Sequence, residues 1–303
     1  MISRRRFLAL SAAAVAAPPA GAKTWQGRAL GANVTITLRG PDRLTANTLT
    51  GLQYILKRME TLFSLHDPTS ALSRLNRTGR LATPPHDFSR LCRLCSEIHT
   101  LTDGLFDPTV QPLWQALDRG GDPAAARGLI GWAKVMRTAD GISLAPGQQL
   151  TFNGIAQGYA TDRVAAHLHA AGFGQTLVNI GEFAAVGGPW RLGIEDPTHG
   201  IKAITTLRDR AIATSSPGAL ALGRDTHILN PVTDAPPRWS TVSVETASAA
   251  LADGLSTAFC HMTRADIRVA LRALPGRPLA RLVSHEGSVS TCLLYTSPSP
   301  RDP

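Results

Sequence analysis

The chain has 303 residues, of which 43% are hydrophobic and 5% aromatic, and a formal net charge of +9 at pH 7. This length and apolar share suit one large globular domain or two intimately packed lobes, not a disordered or fibrous chain. The positive balance favours an anionic ligand. Its arginines are scattered and its aromatics sparse, which excludes nucleic acid as the expected partner.

In chain order, the first signal is Ser3-Arg4-Arg5-Arg6-Phe7-Leu8, followed by the apolar run Ala9 to Ala17 and the small-residue stretch Ala20-Gly21-Ala22. Residues 1–22 read as a signal peptide of the twin-arginine type, which predicts a bacterial protein exported already folded and a periplasmic mature chain. No later apolar stretch approaches the roughly 20 residues needed to cross a bilayer, so the mature chain is not expected to span a membrane itself. Residues 23–290 form the expected functional domain. The composition changes abruptly towards Ser-Pro-Ser-Pro-Arg-Asp-Pro303, and residues 291–303 read as a non-native tail.

Trp25 to Leu38 alternates as a strand, interrupted at Leu30-Gly31-Ala32 by a bulge or a ligand approach. Leu49, Leu52, Leu56, Met59, Leu62 and Phe63 mark an amphipathic helix, and Ser70 to Asn76 a short helical or irregular piece. A further helix covers Phe88 to Thr102. Gly104 closes it, and Pro108 opens the next over Val110 to Leu117. Cys92 and Cys95 fall on or beside the apolar face of Phe88, Leu91, Cys95 and Ile98, so they read as small core residues and not as a redox pair. Asp118 to Ala125 reads as a surface loop. Trp132 to Arg137, Ile142 to Leu144 and Leu150 to Asn153 read as short strands.

The stretch from Gln149 to Gly188 predicts strand, Gly turn, helix, strand and Gly turn, with Ala160, Val164, Leu168 and Ala171 on one helical face. A turn of this kind frees backbone groups at a helix start for a phosphate or a metal-bound phosphate; a plain tight connection is the other reading. Trp190 to Glu195, Lys202 to Leu207 and Ala211 to Thr214 continue as a meander. Trp239 to Glu245 is a strand, and Ser248 caps a helix with the stripe Leu251, Leu255, Ala258, Phe259 and Met262. Helix Ala265 to Leu274 and strand Leu279 to Ser284 finish the domain. Strands in antiparallel-looking runs with helices inserted in blocks predict an α+β fold.

On the helix after Ser248, Asp253 and Thr257 are four apart, opposite the apolar stripe. A carboxylate and a hydroxyl presented together suit a hard cation such as Mg²⁺; a solvated pair is the alternative. His227, at a strand end, could take a proton from an attacking hydroxyl, or could be a hydrogen-bonded structural residue.

Taken in order, FSLHDPTSALSRLN, DGLFDPT, NGIAQGYATD, LVNIGE, HILNPVTDAP and ADGLST resemble the successive motifs of the ApbE family, the FAD:protein FMN transferases. The resemblance covers Trp25 to Ser290. It implies an α+β, T-fold-like architecture with antiparallel sheets and packed helices in two joined lobes, holding FAD between them. It implies Mg²⁺-dependent transfer, in which a Thr or Ser hydroxyl of a target flavoprotein attacks the FMN-side phosphorus of FAD and AMP leaves. By position it assigns Gly154 (backbone carbonyl), Asp253 and Thr257 to the metal. His227 falls at the base, with Asp253 the other catalytic residue. Leu30, His66, Leu105, Phe106, Asp107, Thr151, Gln157 and Ile228 fall at flavin-contacting positions. The chain departs from the family pattern at His66 (usually Tyr), Thr151 (Asp), Gln157 (acidic or Lys), Glu182 (Gly) and Asn230 (Asp). The arginine-rich leader, TWQGRALGA and these substitutions resemble a NosX-like subgroup associated with nitrous oxide reductase maturation, which implies a membrane-bound, NosR-like flavoprotein as target. A non-catalytic FAD-binding assembly protein and an FAD hydrolase releasing FMN and AMP are the alternative readings. The oligomeric state is left open.

Overall fold

The computed structural model describes residues 22–39 and 46–293. The expected signal peptide and the last ten residues lie outside that range, apart from Ala22. The chain opens with a hairpin, β1 (Lys23–Ala29) and β2 (Ala32–Arg39), paired from Ala29↔Ala32 outward. Two strands thus replace the single interrupted strand expected there. The interruption is a two-residue turn in which Leu30 (φ 49°) and Gly31 (φ 77°) are both left-handed, the twist that matches two antiparallel strands.

Helices α1 (Ala46–Phe63), α2 (Ala71–Thr78) and α3 (His86–Leu101) follow, with β3 (Arg80–Ala82) between the last two. Ser70 caps α2 by accepting the N–H of Ser73 at 3.0 Å. After α4 (Gln111–Arg119) the expected surface loop contains a further short helix, α5 (Pro123–Arg127), because Asp122 accepts the N–H groups of Ala124 and Ala125. β4 (Met136–Thr138) and β5 (Gly141–Ser143) join β3 in a small sheet. Trp132–Lys134 is a 3₁₀ turn and not the start of a strand.

Leu150 to Asn153 is not a strand either. Its backbone is satisfied by single partners: Asn76 clamps Leu150 from both sides (Nδ2 to the carbonyl and N–H to Oδ1, each 2.8 Å), and Thr151 N–H donates to the Pro108 carbonyl at 2.8 Å. Alternating burial is therefore present without a ladder.

Helix α6 (Ala156–Ala170) buries Ala160, Val164 and Leu168 completely, while Ala171 falls past its end and is exposed. The chain then runs through β6 (Gln175–Asn179), β7 (Phe183–Val186), β8 (Trp190–Asp196), β9 (Gly200–Leu207), β10 (Ala211–Ser215), β11 (Ala221–Leu222), β12 (Asp225–Thr226) and β13 (Thr241–Thr246). Helices α7 (Ala249–Phe259) and α8 (Arg264–Arg272) and strands β14 (Leu279–Val283) and β15 (Val289–Leu293) complete it. β15 carries three residues past the boundary expected at 290, and Cys292 is buried in the core.

The frame is an eight-stranded sheet, β1-β2-β6-β7-β10-β13-β14-β15, antiparallel at every pairing. Period-two alternation sorts its faces. Val178 and its partner Ala184 join the helix-side core with Ala213 and Val244, whereas Leu177, Phe183, Ala185 and Ile212 pack on the other face under the β8–β9 hairpin. Helices α1, α3, α6 and α7 fill the first face, where Phe63, Phe88, Phe152 and Tyr159 meet at centroid distances of 5.4–5.9 Å. The hairpin therefore lies across the sheet and does not extend it as a meander. No helix among the described residues is long and apolar enough to cross a membrane.

Candidate active site

Helix α7 is apolar nearly all round, and it packs on β10 and β13 beside α6, which packs on β6 and β7. Its start is doubly capped. Ser248 Oγ accepts the N–H of Leu251 at 3.2 Å, and Asp162, reaching across from α6, accepts Ser248 Oγ–H (2.6 Å) and the N–H groups of Ala249 (2.7 Å) and Ala250 (3.0 Å). A carboxylate here faces the positive end of the helix dipole. The two helices meet at Gly158, where an added Cβ would lie 2.3 Å from the Ala249 carbonyl oxygen. That close approach lets the Gly158 N–H donate to Asp253 Oδ2 at 3.1 Å.

Asp253 is 4% exposed, so the face opposite the apolar stripe is turned into the molecule and is not solvated. Thr257, one turn on, is half-buried and borders the turn before α6: a Cβ on Gly154 would stand 2.9 Å from Thr257 Oγ1. Asp253 and Thr257 thus lie one turn apart on α7, each against the start of α6, Asp253 at Gly158 and Thr257 at Gly154. Near them lies a residue that the chemistry read from the sequence did not use. Glu182, at the β6–β7 turn, is buried, and its Oε2 accepts the Thr214 N–H at 3.1 Å. Burial raises both the Asp253 and the Glu182 carboxyls above the ordinary range, and the Asp253 charge raises Glu182 further. Neither forms an ion pair among the described residues.

Two buried carboxylates without a counter-charge, beside a hydroxyl and a backbone turn, fit a hard divalent cation with oxygen ligands such as Mg²⁺. The described residues hold no cluster of three or more His, Cys, Asp or Glu suited to a metal, so a cation here would draw further ligands from hydroxyl, carbonyl or substrate oxygens.

His227 follows the small β11–β12 hairpin. Its Nδ1 faces the carbonyl oxygens of Pro217 (3.2 Å) and Leu220 (3.4 Å), which can only accept. Nδ1 therefore carries the proton and Nε2 keeps the lone pair. Burial lowers its pKa, which holds the imidazole neutral near pH 7. The structural reading and the base reading are thus compatible: one nitrogen fixes the ring and the other is free.

The other candidates divide. Leu30, Leu105, Phe106 and Ile228 all pack into or against the helix-side core. Gln157 bridges two turns, donating from Nε2 to the Leu30 carbonyl at 3.4 Å while its Oε1 lies 2.5 Å from where a Cβ on Gly181 would be. Thr151 is tied to Pro108, with its Oγ1 accepting the Asn153 N–H. Asp107 and His66 are placed differently. The Asp107 carboxylate is engaged within the fold, with Oδ1 accepting from Thr109 N (2.8 Å) and Oγ1 (2.6 Å) in its own turn and Oδ2 from the more distant Trp132 N (3.0 Å). The His66 side chain is exposed and makes no hydrogen bond to the other candidates.

Sequence reasoning missed Asp162 and left Glu182 without a role. Asp162 caps a helix 86 residues away, and no local pattern records that. Glu182 was visible only as a carboxylate where the ApbE motif has glycine.

The ApbE family model matches residues 30–278. The FAD:protein FMN transferase of Salmonella typhimurium is 30% identical over 270 residues, covering 78% of this chain and 77% of that protein. The FAD:protein FMN transferase of Vibrio cholerae is 27% identical over 74% of this chain and 76% of its own. Among solved structures, the apo form of the Pseudomonas stutzeri flavinyl transferase ApbE superposes with a TM-score of 0.74 at 28% identity, over 90% of this chain and 94% of that one. The flavin transferase ApbE from Vibrio cholerae gives 0.78 at 24% identity, over 91% and 97%. By its motifs, its fold and the family match over most of its length, the chain belongs to the ApbE family.

Proposed function

We propose that this chain is an FAD:protein FMN transferase that works with Mg²⁺ held by the Asp253 carboxylate, the Thr257 hydroxyl and the Gly154 carbonyl. What supports the reading is the α6–α7 contact, where Asp253 meets Gly158 and Thr257, one turn on, meets Gly154, in a chain whose relatives bear that activity in their names. When bound, the cation would neutralise the diphosphate and lower the barrier to attack on phosphorus.

The chain's own residues do the rest. His227 accepts, at Nε2, the proton of a target Ser or Thr hydroxyl. That oxygen forms a bond to the FMN-side phosphorus, the bond from this phosphorus to the bridging oxygen breaks, and its electron pair leaves with AMP. Leu30, Leu105, Phe106 and Ile228 supply apolar surface suited to a flavin, and Gln157 holds the Leu30 turn in place. The Asp162 cap and the Gly158 contact fix the two helices that carry the metal-binding groups.

The setting we propose is the periplasm, after export by the twin-arginine leader, with a membrane-bound NosR-like flavoprotein of nitrous oxide reduction as target. The leader and the NosX-like departures at Thr151, Gln157 and Glu182 support that part.

Incubating the protein with FAD, Mg²⁺ and a flavoprotein domain of that type should leave ultraviolet-fluorescent flavin covalently on the target and release AMP in equal amount. His227→Ala should slow transfer by roughly 10²-fold or more while FAD binding, read by flavin fluorescence, is retained. The His227 base itself should stay neutral below pH 6.5, because burial depresses its pKa, so a loss of transfer on acidification should track protonation of the raised Asp253 carboxyl and be offset by added Mg²⁺. Tight FAD binding with no AMP release under any Mg²⁺ concentration would instead make this an assembly protein, and free FMN formed without a target would make it a hydrolase.

A further inference from the structure

Glu182 enters the site from a different direction than Asp253. Its backbone lies in the β6–β7 turn, where the Glu182 carbonyl accepts the Ile180 N–H at 3.1 Å and Thr161 Oγ1–H of α6 at 3.3 Å. Its side chain reaches β10 at Thr214, and β10 in turn meets α7 through Ser215 Oγ and Ser256 Oγ at 2.8 Å. The Glu182 side chain thus lies on β10, which packs on α7, the helix that carries Asp253, and its backbone lies on α6, whose Gly158 donates to Asp253.

The two carboxylates are satisfied in the same incomplete way. Each uses one oxygen on a single backbone N–H, Asp253 Oδ2 on Gly158 and Glu182 Oε2 on Thr214, and the second oxygen of each has no hydrogen-bond partner among the described residues. Those second oxygens are not among the sealed, unpartnered atoms of the described residues, which are Gln149 Oε1, both His261 ring nitrogens and Arg281 Nη1, so each opens onto accessible space. Both side chains are more than nine-tenths buried, and neither has a cationic partner. A buried carboxylate is expensive to keep without compensation, and two side by side more so.

We propose that Glu182 is a second anionic arm of the cation site, so that this chain binds a divalent cation before any nucleotide arrives. The proposal rests on the reading of Asp253, Thr257 and Gly154 as cation ligands, and adds to it an order of events. With Asp253 alone, a dication keeps an excess positive charge and depends on the substrate diphosphate to complete its neutralisation. With Glu182 also facing it, the protein supplies two negative charges and needs no diphosphate to retain the ion, and cation affinity follows the charge count of the ligand set.

The test is calorimetric titration of Mn²⁺ into the folded, nucleotide-free protein and into Glu182→Gln and Asp253→Asn, with thermal unfolding recorded with and without Mn²⁺. The unmodified protein should bind one Mn²⁺ without FAD and unfold at a higher temperature with it. Glu182→Gln should lose about tenfold or more in affinity and most of that shift, while remaining folded, since Gln keeps the acceptor for Thr214 N–H. Equal Mn²⁺ affinity in Glu182→Gln and the unmodified protein, with Asp253→Asn losing it, would overturn the proposal and leave the transferase reading intact. Binding by the unmodified protein only when FAD is present would also overturn it. Absence of Mn²⁺ binding with and without FAD would remove the cation site itself.

Discussion

Asp253 and Asp196 are both buried carboxylates, and the protein treats them in opposite ways. Asp196, at the end of β8, has no measurable exposure and accepts five hydrogen bonds: Oδ1 from Thr198 N, His199 N and His199 Nδ1, and Oδ2 from Ser240 Oγ and Thr241 Oγ1, at 2.6–2.9 Å. Burial acts to raise its pKa, but the hydrogen bonds from Ser240, Thr241 and His199, with that of Thr198 N–H, outweigh it and hold the carboxyl well below the usual range. Asp253 accepts one bond, from Gly158, and is raised. The first carboxylate is complete within the fold and ties the β8–β9 hairpin to β13. The second is left with one hydrogen bond, which is the feature the proposed cation would complete.

The largest expected effect separates the two by activity. Asp253→Asn should lower FMN transfer by roughly 10³-fold, the scale of several kcal/mol of lost charge stabilisation, while leaving the cation-free protein at least as stable at pH 7 because an uncompensated buried charge is gone. Urea unfolding and a fluorescence transfer assay read both quantities, and a marked loss of stability would place Asp253 with Asp196 instead. Asp196→Ala should do the reverse. It strands several buried donors and should cost roughly 2–4 kcal/mol in urea unfolding, with transfer unchanged under conditions where the variant is folded.

Acid sharpens the contrast. A carboxyl whose folded pKa is depressed contributes stability that is complete above its unfolded value, near 3.9, and is lost as pH falls through the folded value. The unmodified protein should therefore lose stability relative to Asp196→Asn only as pH drops below the ordinary carboxylate range, seen in unfolding free energies measured from pH 5 downward. The smallest effect is Ser240→Ala, which removes one of the five bonds and should cost about 1 kcal/mol without altering transfer.

The same contrast explains what could be read in the sequence. The helix carrying Asp253 and Thr257 was legible because its cap, stripe and i, i+4 pair are local, as was the α+β frame with its helix blocks. The Leu30-Gly31 turn reads in the sequence as an interruption and not as a hairpin, because a left-handed Leu announces itself less clearly than Asn-Gly. Leu150 to Asn153 alternates like a strand, yet distant Asn76 and Pro108 take its hydrogen bonds. Asp107, Asp162 and Glu182 illustrate the general limit: a carboxylate's role depends on which donors reach it, and each of the three takes a donor from a distant part of the chain.

A divalent cation seated at Asp253, as proposed, would be seen directly by anomalous scattering from crystals grown with Mn²⁺ and FAD. A peak within bonding distance of the Asp253 carboxylate, Thr257 Oγ1 and the Gly154 carbonyl, adjoining the FAD diphosphate, is the expected result. FAD bound with its diphosphate away from Asp253, and no peak at that carboxylate, would contradict it.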